Sequence, residues 1–171
     1  MKNLFIFLGA MLLGAILFEV GKTFYLEHVK SISSYIDFNK GGYDDQLVSG
    51  WYDRETPASG GYRWTGKKAV ARLAYDSDLK HITTAVYIHD ITVYKDSTLD
   101  LDLQVNDQTV KSTHFNKPGL FKVEGLLPAG ITGKEITTGV SLNKFFIPVE
   151  FGKGNDQRQL GIVVLNIGLI K

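Results

Sequence analysis

From about Tyr35 onward, apolar side chains recur at every second position. Leu99, Leu101, Leu103 and Val105 alternate with Asp100, Asp102 and Gln104. That is the pattern of a strand with one face on a core and the other in water. Thr83 to Tyr94 is dense in β-branched and aromatic residues, among them Val86, Tyr87, Ile88, Ile91, Thr92 and Val93, and predicts a second strand. Gly161 to Ile170 is apolar on both faces, with Val163, Leu165, Ile167 and Leu169 expected on one side. It predicts a central strand covered on both faces. Turn-forming clusters punctuate these runs, such as Asn39-Lys40-Gly41-Gly42, Asn106-Asp107, Pro128-Ala129-Gly130 and Gly152-Lys153-Gly154-Asn155. Many short strands with regular turns predict an all-β fold, an antiparallel β-sandwich of jelly-roll-like form, over residues 35–171.

The N-terminus follows a different rule. After Met1-Lys2-Asn3, an apolar run extends from Leu4 to Phe18 without a charge, a polar side chain or a proline. A short positive start before an apolar block is an export signal. Its length is short for a span, which usually needs about 20 residues. The cleavage chemistry weighs against removal: Leu13-Gly14-Ala15 and Glu19-Val20-Gly21 both place a poor residue at the third-last position. The expectation is an uncleaved signal-anchor, one N-terminal transmembrane helix over residues 1–22, with a juxtamembrane segment over 23–34. Lys2 on the short side then puts the bulk of the chain on the periplasmic or extracellular side.

Composition narrows the function classes. Nineteen basic residues face eighteen acidic ones in the 171 residues, and neither kind is clustered. This excludes the electrostatic footprint of a nucleic-acid binder. The absence of cysteine removes disulfides, thiolate metal sites and cysteine nucleophiles. His28, His81, His89 and His114 are scattered, with no HExxH pair, so no metal or other cofactor is expected. Asp44-Asp45 and Asp76-Ser77-Asp78 offer calcium ligands, but read better as solvated turns. His89-Asp90 are neighbours on an expected strand and so point to opposite faces, with no nucleophile motif beside them. No catalytic residues are assigned, and the chain is not expected to be an enzyme.

Two segments stand apart. Ser49-Gly50-Trp51-Tyr52-Asp53-Arg54-Glu55 and Gly61-Tyr62-Arg63-Trp64-Thr65-Gly66-Lys67 hold both tryptophans of the chain. Phe145-Phe146-Ile147-Pro148-Val149-Glu150 leads into Asn155-Asp156-Gln157-Arg158-Gln159-Leu160-Gly161. Together the motifs Gly-Trp-Tyr-x-x-Glu, Arg-Trp-Thr-Gly, Phe-x-Pro-x-Glu and Asp-x-Arg-x-Leu-Gly resemble the carbohydrate-binding-like β-sandwich accessory modules of bacterial glycosyltransferases and membrane polysaccharide-assembly proteins. The resemblance implies a non-catalytic module that binds glycan or assists polysaccharide assembly. It leaves open the alternative of a structural subunit that docks through its helix into a larger membrane protein complex.

The residues support a glycan site by their own chemistry. Tryptophan and tyrosine offer flat apolar faces for the C–H face of a sugar ring, while carboxylates and guanidinium groups bond its hydroxyls. The candidates are Trp51, Tyr52, Glu55, Tyr62, Arg63, Trp64, Asp156 and Arg158. The competing expectation is structural: each tryptophan fills the core, and Arg158 locks Glu55 or Glu150 as an ion pair.

Overall fold

The computed structural model describes residues 32–58 and 60–171. The expected signal-anchor and most of the juxtamembrane segment lie outside the described residues. Among the described residues, no helix is long and apolar enough to cross a membrane. Ser33 and Ser34 already belong to the folded unit, since their carbonyls accept from the amides of Ala74 and Leu169.

Nine antiparallel strands make up this unit: β1 (Tyr35–Asp37), β2 (Leu47–Glu55), β3 (Tyr62–Ala74), β4 (His81–Ile88), β5 (Leu99–Val105), β6 (Gln108–Phe115), β7 (Gly119–Leu126), β8 (Glu135–Leu142) and β9 (Val163–Ile170). Their pairing is nested. β5 pairs with β6, β4 with β7, β3 with β8 and β1 with β9, as in a long hairpin rolled on itself. This is the jelly-roll arrangement. One sheet runs β2-β3-β8-β5-β6 and the other β1-β9-β4-β7. The long β3 joins them, because Arg63 and Trp64 at its start pair with Val164 and Val163 of β9.

The alternation expected in β5 is observed: Leu99, Leu101, Leu103 and Val105 are fully buried. They meet Ile36, Leu73, Ile82, Val86 and Ile167 in one core between the sheets. Burial of apolar area of this kind is the main stabilising term of such a fold. The β5–β6 turn is also where the sequence puts it. Asn106 and Asp107 both adopt positive φ, 48° and 62°, as a tight hairpin needs.

Two expectations are corrected. The strand predicted to run to Tyr94 stops at Ile88. Asp90 accepts a hydrogen bond from the Thr92 amide and starts a short 3₁₀ turn over Ile91–Val93. The capping geometry overrides β propensity there. In β9, Val163 and Leu165 do not share a face with Ile167 and Leu169. A bulge opposite Ala85/Val86 inserts one residue and reverses the alternation. Ile162 and Val164 therefore join Ile167 and Leu169 in the core, while Leu165 turns outward into a groove with Tyr62 and Tyr87.

Gly50 shows how closely β2 approaches β3. Its φ is +76°, and a Cβ there would collide with the carbonyl oxygen of Lys68. Only glycine meets both conditions without strain.

Candidate functional site: a cleft at the end of the sandwich

At one end of the sandwich, the β4–β5 and β8–β9 connections, the end of β2 and the start of β3 enclose a cleft of about 260 Å³. Its apolar lining comes from Trp64, Val93, Tyr94, Phe146, Pro148 and Leu160. The charged lining is Glu55, Asp90, Lys153, Asp156 and Arg158, with His89 beside them.

The apolar lining is fixed from below. Trp64 meets Phe146 edge-on, with ring centroids 5.8 Å apart, and Tyr94 meets the same ring at 5.5 Å. Edge-to-face contacts hold aromatic rings in one orientation. The Tyr94 hydroxyl donates to the carbonyl of Gly161, and burial pushes its pKa well above the ordinary tyrosine range. Phe146 and Leu160 exchange backbone hydrogen bonds of 2.9 and 2.8 Å. Gly161 then docks on β3, its amide donating to Thr65 at 2.6 Å.

The charged wall is built around Arg158. Its guanidinium donates to Asp156 at 2.7 Å and to Glu55 at 3.2 Å. The Tyr52 ring lies beneath it, 5.2 Å from the guanidinium carbon, and the Tyr52 hydroxyl donates to the Gln159 carbonyl at 3.0 Å. Cation–π stacking and two carboxylates thus hold one guanidinium in place. Asp156 is held below the usual carboxylate range, first by its hydrogen bond from the Arg158 side chain and then by the Arg158 amide. The Tyr62 hydroxyl donates to Glu55 at 2.9 Å, and its acidity is weakened by burial and then by that carboxylate.

Across the cleft, Lys153 donates to Asp90 at 2.6 Å. That bond and those from Thr92 hold Asp90 well below the usual carboxylate range. Lys153 sits between Gly152 and Gly154, both at positive φ, on the loop after the 3₁₀ turn over Pro148–Phe151.

The sequence candidates divide into two groups. Glu55, Trp64, Asp156 and Arg158 line the cleft, and Tyr52 and Tyr62 brace its charged wall. Trp51 and Arg63 do not take part. The Trp51 ring packs on Phe38 at 5.2 Å, and its indole donates to the Val70 carbonyl at 2.8 Å. Arg63 is 8% exposed; it donates to the Tyr52 carbonyl and pairs with Asp44. Strand alternation separates Arg63, which points inward, from Tyr62 and Trp64 on the other face.

Arg158 locks Glu55, one of the two partners expected for it, and adds Asp156. His89 and Asp90 lie beyond the end of β4 rather than on it, and both line the cleft. Sequence reading missed Tyr94 and Lys153; the signal for Tyr94 was an Asp-x-Thr cap breaking the strand just before it. Of the calcium candidates, Asp44 is bound to Arg63 and Asp76 accepts from the Asp78 amide. Among the described residues, no three His, Asp or Glu side chains converge as a metal site would need.

No family model matches the sequence, and no curated protein matches it. Solved structures similar to it in fold include carbohydrate-binding modules. A family 35 carbohydrate-binding module from an environmental isolate has 11% identity and a TM-score of 0.47, covering 78% of this chain and 91% of that one. A family 27 module, described for specific mannan recognition, has 17% identity and a TM-score of 0.41, covering 81% and 96%. A Podospora anserina β-(1,4)-mannanase carrying a family 35 module has 12% identity and a TM-score of 0.40, covering 83% and 28%. What the cleft can bind is decided by its own side chains.

Proposed function

We propose that this chain is a non-catalytic glycan-binding module, held by its N-terminal segment on the extracytoplasmic face of a membrane and accessory to polysaccharide assembly there. The carrying observation is the cleft: an apolar lining that includes Trp64, walled by charged groups that their partners already orient. A sugar ring needs this combination, an apolar surface for its C–H face and fixed polar groups for its hydroxyls. The carboxylates are committed differently from those of a hydrolase. Glu55 and Asp156 share one guanidinium, and Asp156 is held ionised rather than poised as an acid.

The test is a glycan array probed with the wild type and with Trp64→Ala. The expected result is binding by the wild type and its loss in a variant that still melts cooperatively. Unfolding of the variant, or unchanged binding, refutes the role given to Trp64. Protease accessibility of the sandwich in intact cells tests its placement outside the cytoplasm.

One observation favours the second reading, an accessory subunit of a larger membrane complex. Phe145, Val149 and Phe151 are exposed together around the Pro148–Phe151 turn. Neighbouring exposed apolar side chains of this kind mark contact surfaces. Recovery of a stoichiometric partner from detergent, lost on Phe151→Ser, would favour that reading.

A further inference from the structure

We propose that the cleft selects a sugar carrying a free, protonated amine and disfavours one carrying a carboxylate. This rests on the glycan reading above and specifies its ligand class.

Five charged side chains line the cleft: Glu55, Asp90 and Asp156 against Lys153 and Arg158. Lys153 and Asp90 are matched one to one at 2.6 Å, so that side is neutral. On the other side a single guanidinium serves two carboxylates, Asp156 at 2.7 Å and Glu55 at 3.2 Å. That wall carries one negative charge more than positive. The other titratable side chains in the lining are His89 and Tyr94. Tyr94 is committed through its hydroxyl to Gly161.

Glu55 is the carboxylate with capacity to spare. It accepts one hydrogen bond from Arg158 and one from Tyr62. A carboxylate offers about four lone-pair sites. An ammonium group brings three donors and no acceptor, the complement of what Glu55 has left. The aromatic lining adds attraction for a cation over a ring face. A sugar carboxylate meets the opposite conditions. It brings only acceptors, and the two cations are already matched or outnumbered by Asp90, Asp156 and Glu55, so it adds a further negative charge to a wall that has one in excess. At low salt, a charged partner of the wrong sign beside this partly exposed wall is disfavoured.

The experiment is calorimetric titration of the intact chain in detergent at neutral pH and low salt. The probes are glucosamine oligosaccharides, their N-acetylated counterparts and glucuronate-bearing oligosaccharides. The glucosamine oligomers are expected to bind about tenfold tighter than the N-acetylated ones, the effect of one hydrogen bond to a charged group. The glucuronate oligomers are expected to bind weakest. Glu55→Gln brings the first two affinities together, and Lys153→Gln widens the gap between them. If Glu55→Gln fails to melt cooperatively, Lys153→Gln decides alone. Equal or tighter binding of the N-acetylated or glucuronate oligomers, still lost in Trp64→Ala, overturns the amine preference and leaves the glycan reading standing. Glucosamine binding that survives Trp64→Ala is attraction by surface charge outside the cleft, and also overturns it. No binding of any oligosaccharide removes both.

Discussion

The molecule contains the same trio twice, an arginine, an aromatic ring and carboxylate partners, and uses it in two ways. At the inner site, Arg63 lies over the Phe38 ring at 5.8 Å, pairs with Asp44 and donates to the Tyr52 carbonyl at 2.8 Å, with Trp51 packed alongside. At the outer site, Arg158 lies over the Tyr52 ring at 5.2 Å and pairs with Asp156 and Glu55, close to Trp64. The chemistry is alike but the exposure is not. The Arg63 side chain is 10% exposed and that of Arg158 is 37%. Buried, the trio locks two strands to the core. At a rim, it is left facing solvent, where a ligand can reach it. Residue type alone therefore did not separate the two arginines; depth did.

Substitutions can break this contrast. The largest expected effect is Trp51→Ala, which removes a ring packed on the core and orphans the Val70 carbonyl. Thermal or urea unfolding should show a loss of about 2–4 kcal/mol. Next is Arg63→Met, which leaves Asp44 in solvent but removes bonds made inside the fold. A loss of about 1–3 kcal/mol is expected by the same measurement. Arg158→Met should cost less than about 1 kcal/mol, because its pairs are largely screened. It should nonetheless reduce oligosaccharide binding on the glycan array. If Arg158→Met destabilised the fold as much as Arg63→Met, the distinction between the two sites would fail.

The smallest effect concerns acid. Arg158 holds the Asp156 carboxyl below its ordinary value in the folded state. The unfolded chain therefore binds this proton first as pH falls, and the stabilisation is present above about pH 4 and lost below it. Melting temperature followed from about pH 5 downward should fall less steeply in Arg158→Met than in the wild type. Equal slopes would show that the pair contributes nothing to folding.

Much of the fold was legible in the sequence, and the reasons are local. Four leucine and valine positions in β5 alternate without interruption, and alternation has one structural meaning when a face is buried. Asn106-Asp107 dictates its own turn. The errors fell where a non-local partner intervened or where one side chain capped a turn. The β9 bulge sits where the Asn166 side chain accepts from the Ala85 amide of β4, a contact across 81 residues. The end of β4 is set by one side-chain cap at Asp90. In the cleft, Glu55, Trp64, Asp156 and Arg158 were found because they sit in unusual aromatic and charged stretches. Lys153 was not, since its partner Asp90 is 63 residues away and lysine in a glycine-rich loop reads as a solvated turn.

The nested pairing has a consequence for biogenesis. β9 fills the middle of its sheet, between β1 and β4, yet it is the last strand to be synthesised. Until it emerges, β4 presents an open hydrogen-bonding edge made of Ile82, Thr83, Thr84 and Val86, the sort of edge that recruits stray strands. Rapid closure once residue 170 is available would shorten the time this edge is bare.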